Sequence, residues 1–238
     1  MLTTQAELVA FRTGLGQPLQ FVPTMGGLHV GHGELIRRAA EQGPVLVSVF
    51  VNPLQFGPGE DFDRYPRSLE ADLALADRCG AAALWAPTVQ TIYPDGAAAD
   101  SACQAPAALQ QYLCGAGRPG HFDGVVTVVA RLLELTKPAG LWLGEKDWQQ
   151  LVILRQLVAD RALPVKIHGV ATVREADGLA LSSRNQYLSA AQRLQAAALP
   201  AALRAADGTT PLDVTRSRLS ATGLEVEYVE RVDPQSLQ

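Results

Sequence analysis

Five short apolar runs recur along the 238-residue chain, at residues 19–22, 45–51, 82–85, 140–143 and 165–170, with helical stretches between most of them. That alternation predicts an α/β fold on a parallel sheet, because consecutive parallel strands need a crossover long enough to hold a helix. In open sheets of this kind ligands gather at the carboxyl ends of the strands, and the polar clusters of this sequence each follow one of the runs. Those clusters should therefore converge in space. Ahead of the first run, Thr4-x-x-Glu7 reads as the capping box of an N-terminal helix.

The pattern changes around residues 174–178. Ser189-x-x-Gln192 there caps a long alanine-rich helix, another helix follows near 212–221, and residues 225–229 read as a strand. The expected organisation is a sheet-bearing domain over 1–173 and a smaller α+β domain over 174–238. Alanine-rich stretches at 97–108 and 196–206 are compositional, the second of them helical, and carry no chemistry.

Composition narrows the function. With 47% hydrophobic residues the chain can bury a real core, yet no apolar run approaches the roughly 18 to 20 residues that span a bilayer. The N-terminus lacks a basic segment followed by an apolar one, so no export signal is expected. Cys79, Cys103 and Cys114 form no Cys-x-x-Cys pair and read as reduced thiols, consistent with a cytoplasmic location and no membrane partner. Twenty basic residues against 24 acidic ones give a net charge of −4, which argues against a broad nucleic-acid surface. Any phosphate site must be local.

The segment that most specifies chemistry is PTMGGLHVGH at residues 23–32, which joins the end of the first predicted strand to a helix over residues 34–40. At such a junction unpaired backbone N–H groups and the helix dipole favour anions. Glycine lets the backbone approach a phosphate, and two imidazoles can donate to oxygens whose charge grows as a phosphorus–oxygen bond breaks. A His-x-x-His alone could equally be two half-buried turn residues. The order of strand, Thr-Met-Gly-Gly and His-x-Gly-His points to phosphate chemistry, and it resembles the HxGH signature of the nucleotidylyltransferase and class I synthetase superfamily.

Four further clusters accompany it. FVNPLQFGPGEDFDRYPR at 50–67 begins with amides interleaved among apolar groups, suited to orienting a hydroxylated acid, although Pro53 and Gly57 could equally be loop punctuation. Its second half, 60–67, reads as solvated, charged surface. GRPGHFDGVVTVV at 117–129 places Arg118 and His121 ahead of an apolar helix. In GEKDWQQLVILRQLV at 144–158, Lys146 can reach a phosphate and Gln150 lies about one turn later on the same face, while a Lys146–Asp147 salt bridge is the duller alternative. TVREADGLALSSRNQYL at 172–188 offers hydroxyls and the fork-shaped cation of Arg184, suited to a triphosphate on a mobile loop.

With these five segments in this order, the chain closely resembles the pantothenate synthetase, or pantoate–β-alanine ligase, family. The resemblance runs from about residue 21 to 188. It implies a Rossmann-like, doubly wound parallel sheet with a smaller C-terminal domain. It also implies ATP-dependent joining of pantoate to β-alanine through a pantoyl adenylate, with release of pyrophosphate and then AMP, in the presence of Mg²⁺. Carried over by motif, Met25, His29, Gly31, His32, Gly144, Lys146, Asp147, Val173, Ser182, Ser183 and Arg184 surround ATP. The histidines, Lys146 and Arg184 would be the catalytic groups. Gln55 and Gln150 hold pantoate, Val128 and Val129 form an apolar wall, and Asn52, Arg118 and His121 support that end. Asp72 is a candidate magnesium contact, although relatives carry an acidic pair where this chain has Ala71-Asp72.

Two other departures are Trp148, where tyrosine is common, and Gly27, where alanine is usual. The family normally continues further beyond residues 226–229, whereas this sequence stops at Gln238, so a shortened small domain is expected. The family is commonly dimeric, and some relatives are fused to a cytidylate kinase. A different superfamily nucleotidyl transferase would keep HxGH but not Val-Asn-Pro-x-Gln-Phe or Gly-Glu-Lys-Asp-x-Gln-Gln. A binding protein that no longer reacts is the alternative from another class; the intact His29, His32, Lys146 and Arg184 weigh against it.

Overall fold

In the computed structural model, which describes residues 1–97 and 103–238, the first helix is α1 (Gln5–Thr13). It carries the expected capping box: Thr4 Oγ1 accepts the Glu7 N–H at 3.2 Å, and Glu7 Oε2 accepts the Thr4 N–H at 2.9 Å. There follow β1 (Gln20–Thr24), α2 (Val30–Ala40), β2 (Val45–Val49), α3 (Leu69–Arg78) and β3 (Ala83–Trp85). Short helices α4 (Val89–Ile92), α5 (Ala107–Gln110) and α6 (Leu113–Gly117) lead to α7 (His121–Thr136), β4 (Gly140–Gly144), α8 (Trp148–Asp160) and β5 (Lys166–Val170). All five apolar runs are strands. Part of the alanine-rich stretch 97–108 lies outside the described residues.

The strands form one sheet in the order β3-β2-β1-β4-β5, every pairing parallel. This is a doubly wound α/β sheet. From β1 the chain steps outward to β2 and β3, then returns to β1's other side for β4 and β5, so the strand order reverses between β1 and β4. Such a reversal leaves a crevice at the carboxyl ends of the two strands. The loops carrying PTMGGLHVGH and GEKDWQQ leave the sheet there.

Both faces of the sheet are buried, and the period-2 alternation of a strand divides its side chains between them. Phe21, Leu46, Trp85, Leu141 and Leu143 pack into one core with Leu8 of α1, the Phe122–Leu135 face of α7 and Leu151, Ile153 and Leu154 of α8. Val22, Val45, Val47, Leu84 and Trp142 point the other way, against Leu35, Ile36 and Ala39 of α2, Ala76 of α3 and Cys79 just after it. Each fully buried side chain of this size contributes about 1.5 to 3 kcal/mol.

After β5 come α9 (Ala190–Ala196), α10 (Ala198–Ala205) and α11 (Leu212–Ser220). The Ser189 cap is formed, with Ser189 Oγ accepting the Gln192 N–H at 3.2 Å. The single long helix expected after it is instead divided at Ala197. Pro200 is the reason: it has no N–H to give to the Ala196 carbonyl, and its ring crowds that group. The strand expected at 225–229 is also absent. Among the described residues no strand pairs with it, and the Val226 and Glu227 carbonyls accept from the Arg216 guanidinium at 2.7 and 3.3 Å. The segment then returns to the large core, where Leu237 is fully buried and the Pro234 carbonyl accepts from Trp148 Nε1 at 2.9 Å. No helix among the described residues is long and apolar enough to cross a membrane.

Candidate active site

The loop between β1 and α2 turns through Gly26 and Gly27 at φ of +91° and +62°, a region costly for residues with a Cβ. Its amides are not free. Gly27 and Leu28 donate their N–H groups to the two carboxylate oxygens of Asp72 at 3.0 and 2.7 Å, and Gly26 donates to Thr24 Oγ1 at 3.2 Å. Asp72, in the first turn of α3, is 2% exposed. The residue offered as a candidate magnesium contact thus holds the glycine turn through both its oxygens. Burial pushes its carboxyl upward, an effect opposed by the two amides.

The histidines take the next amides. The Gly31 N–H donates to His29 Nδ1 at 3.1 Å, and the His29 N–H donates to His32 Nδ1 at 3.2 Å. An Nδ1 that accepts must carry its lone pair, so a neutral ring here bears its proton on Nε2. Burial, reinforced by His29 and Lys146, lowers His32 to about 3; burial and then Lys146 lower His29 as well. Both rings are neutral near pH 7, with centroids 4.1 Å apart. Two of the amides are thus taken by imidazole Nδ1 atoms, and both rings, with the proton on Nε2, line the cleft.

These rings share one cleft with most of the residues expected around a nucleotide and an acid. Met25, His29, Gly31, His32, Gly144, Lys146, Asp147, Val173, Ser182, Ser183 and Arg184 line it, and so do Asn52, Gln55, Val128, Val129 and Gln150. Lys146 follows β4 and pairs with Asp147 at 3.1 Å. Both side chains are largely exposed, 40% and 61%, so the pairing costs little to give up. The salt bridge offered as the duller alternative is formed, and Lys146 also lines the cleft. Of the two glutamines that open α8, Gln150 faces the cleft, whereas Gln149 is buried and donates to the Leu109 and Tyr112 carbonyls at 2.9 and 2.8 Å.

At the other end Asn52 is buried. Its Oδ1 accepts from the Tyr93 hydroxyl at 2.8 Å, and its Nδ2 donates to the Gly124 carbonyl at 3.0 Å and to Gln55 Oε1 at 3.2 Å. The Gly124 contact requires glycine, since a Cβ there would lie 2.2 Å from the Leu54 carbonyl oxygen. Val128 and Val129 face the cleft from α7, with Val125 and Leu132 beside them.

Arg118 and His121 stand behind the cleft lining, in the supporting place that the resemblance implies for them. Arg118 grips Glu60 through Nε and Nη2 at 2.8 and 2.6 Å, and its Nη1 meets His121 Nε2 at 3.1 Å. A guanidinium only donates, so His121 Nε2 accepts and its Nδ1–H goes to the Gln55 carbonyl at 2.7 Å. They hold Gln55 from behind.

The reading of 60–67 as solvated surface is overturned too. Asp61 forks Arg184, accepting from Nε at 2.8 Å and Nη2 at 2.7 Å, and the Arg184 carbon Cζ lies 5.5 Å over the Tyr65 ring. Tyr65, 8% exposed, meets Ser183 Oγ at 3.4 Å and lines the cleft. Trp142, also unforeseen, lines it with its indole stacked on His168, 4.1 Å and 6° apart. The sequence signal available for Tyr65 was an aromatic residue set among charges.

A profile of the pantoate-beta-alanine ligase family matches residues 1–238. The chain belongs to that family. As a member of the pantoate-beta-alanine ligase family it is 93% identical, over 238 residues, to the bifunctional pantoate ligase/cytidylate kinase of Parasynechococcus marenigrum (strain WH8102), covering 100% of this chain and 48% of that protein. It is 72% identical over 217 residues to the protein of the same description from Synechococcus sp. (strain CC9605), covering 91% of this chain and 45% of that one. The chain thus spans about half the length of the curated relatives it matches. Solved structures are similar as well: pantothenate synthetase from Thermus thermophilus superposes with a TM-score of 0.91 at 46% identity, covering 100% of this chain and 88% of that one. A pantoate-beta-alanine ligase from Francisella tularensis, complexed with beta-gamma ATP and beta-alanine, gives 0.90 at 36% identity over 98% of this chain and 90% of its own.

Proposed function

We propose that the chain condenses pantoate with β-alanine at the expense of ATP, through a pantoyl adenylate. The observation that carries this reading is one cleft with two chemically different ends. One end presents the His29 and His32 Nε2–H donors, Lys146 and Arg184; the other presents the neutral amides of Asn52, Gln55 and Gln150 beside a valine wall.

A carboxylate is a poor electrophile until one of its oxygens belongs to a good leaving group. In the first step a pantoate carboxylate oxygen attacks the α-phosphorus of ATP, and the bond to the pyrophosphate oxygen breaks. Charge grows on the phosphate oxygens, and in this reading the two neutral imidazole donors and the two cations meet it. In the second, the β-alanine amine attacks the acyl carbon and AMP leaves with the electron pair of the carbon–oxygen bond. No side-chain nucleophile is required; orientation and electrostatics supply the rate.

Magnesium enters as the counter-ion of the ATP substrate. The protein offers no metal cage of its own: among the described residues no group of three His, Cys, Asp or Glu side chains could hold one, and Asp147 is the carboxylate on the cleft lining. Residues 174–238, which contribute Ser182, Ser183 and Arg184, act in this reading as a lid on the nucleotide, distinct from the sheet-bearing domain 1–173. A homodimer in the cytoplasm, and a cytidylate kinase partner in the longer protein, complete the proposal on the strength of the family resemblance and the bifunctional relatives.

The deciding experiment is pantoate-dependent exchange of pyrophosphate into ATP, without β-alanine. Exchange that requires pantoate supports adenylation. ATP binding with no exchange from folded protein would refute it in favour of a binding role or a different acid.

A further inference from the structure

Glu60 and Asp61 are consecutive, and each holds a different arginine by the same edge of its guanidinium, Nε and Nη2. The side-on grip leaves Nη1 of each arginine for another partner. In Arg118 that atom meets His121, which anchors the Gln55 carbonyl. In Arg184 it has no protein partner among the described residues, and the residue lines the cleft. The two acids thus stand between two cations that would otherwise repel each other, and all four side chains border one hollow beside the main cleft.

The loop that carries the acids is stiff. Phe56 packs edge-on against Phe62 and Tyr65 at 5.3 and 6.0 Å, and Arg67 donates to the Phe62 and Asp63 carbonyls. Tyr187, from the chain that carries Arg184, donates its hydroxyl to the Arg64 carbonyl at 2.7 Å. A rigid body so braced can orient what it holds.

We propose that Glu60 and Asp61 are positioning residues that tie the two ends of the site together, Asp61 aiming Arg184 at the phosphates and Glu60 setting Gln55 through Arg118 and His121. The inference rests on the reading of the cleft as an ATP and pantoate site. It extends that reading to residues that touch neither ligand.

Charge alone predicts the opposite sign for Asp61. A carboxylate beside an anion site repels the anion, so its neutralisation would tighten ATP; if Asp61 instead aims Arg184, its loss weakens ATP. The test is calorimetric titration of the whole chain, wild type and variants, with ATP and separately with pantoate, alongside thermal midpoints to confirm folding. Asp61→Asn should weaken ATP about tenfold and leave pantoate within about twofold, the size expected for losing a charge-assisted fork. Glu60→Gln should show the reverse split, and Asp61→Glu should recover most of the ATP affinity. Tighter ATP in Asp61→Asn, parallel losses of both ligands in both variants, or no shift in either would overturn the proposal. If the wild type binds ATP but not pantoate, the functional reading fails and takes the Glu60 half with it, while the Asp61 half is still decided by the ATP titrations.

Discussion

The two ends of the cleft are held in place by different means. At the phosphate end His29 is fixed by an amide two residues away and His32 by one three residues away. At the acid end Asn52 is fixed by Tyr93 and Gly124, 41 and 72 positions distant, and Gln55 by His121, 66 positions distant. Local contacts form with the turn itself and lose little when packing loosens elsewhere. Contacts closed over tens of residues exist only while α7 and the 52–55 turn are pressed together. In the proposed reading the two histidines are therefore set by a short segment, whereas the glycine turn held by Asp72, the Arg184 cation held by Asp61 and the acid-binding amides all depend on the tertiary fold.

The sharpest way to break that contrast is to remove charge from the phosphate end. Lys146→Ala should slow pantoate-dependent exchange by about 10² to 10³, or about 2.7 to 4 kcal/mol in the transition state, with folding and pantoate affinity intact. Wild-type exchange rates in the variant would remove Lys146 from the adenylation step.

At the other end Asn52→Ala tests dependence on packing. It takes a buried side-chain donor from the Gly124 carbonyl and one acceptor from the Tyr93 hydroxyl, each such hydrogen bond being worth about 0.5 to 1.5 kcal/mol. The expected result is a urea unfolding free energy lower by about 2 to 3 kcal/mol and weaker pantoate binding, with ATP affinity nearly kept. If ATP affinity falls as far as pantoate affinity, the two ends are one unit.

The same division explains what was readable in the chain. All five strands, the turn with its histidines and the residues on either side of Lys146 were legible from local pattern, because apolar runs, glycines and the short-range histidine–amide bonds lie in neighbouring positions. The Glu60–Asp61 pair could not be read that way: it looks like a solvated turn until Arg118 and Arg184 arrive from 58 and 123 positions away. The hold of Asp72 on the glycine turn was hidden for the same reason, its partners Gly27 and Leu28 lying 45 and 44 positions distant. The strand expected at 225–229 had suitable residues but finds no pairing partner among the described residues. Pro200, by contrast, was a local signal for the break in the alanine-rich helix.

Acid has a gentler effect. His32 falls from an ordinary value near 6.5 to about 3 on folding, so between those pH values the unfolded chain binds a proton that the native ring does not. Stability rises with pH in that window and is lost as pH drops from about 6.5 toward 3, by at most about 1.4 kcal/mol per unit from this group. Urea midpoints measured from pH 7 down to 4 should decline, and His32→Gln should flatten part of the slope. His121, which anchors the Gln55 carbonyl, is also lowered by burial and adds in the same direction.

The smallest effect probes which side holds the Arg184 cation. Ser189 caps α9, and Arg193 in that helix bonds Glu175 Oε2 at 2.7 Å and Asp177 Oδ2 at 2.5 Å, while Glu175 Oε1 accepts from Asn185, next to Arg184. Ser189→Ala should cost about 1 kcal/mol, the usual worth of such a cap. If Arg184 is aimed by Asp61 and not by the helices behind it, that loss shows in the unfolding midpoint and leaves ATP affinity unchanged. An ATP affinity that declines in step with the midpoint would mean the cation is held from the C-terminal side and not by the turn that carries Asp61.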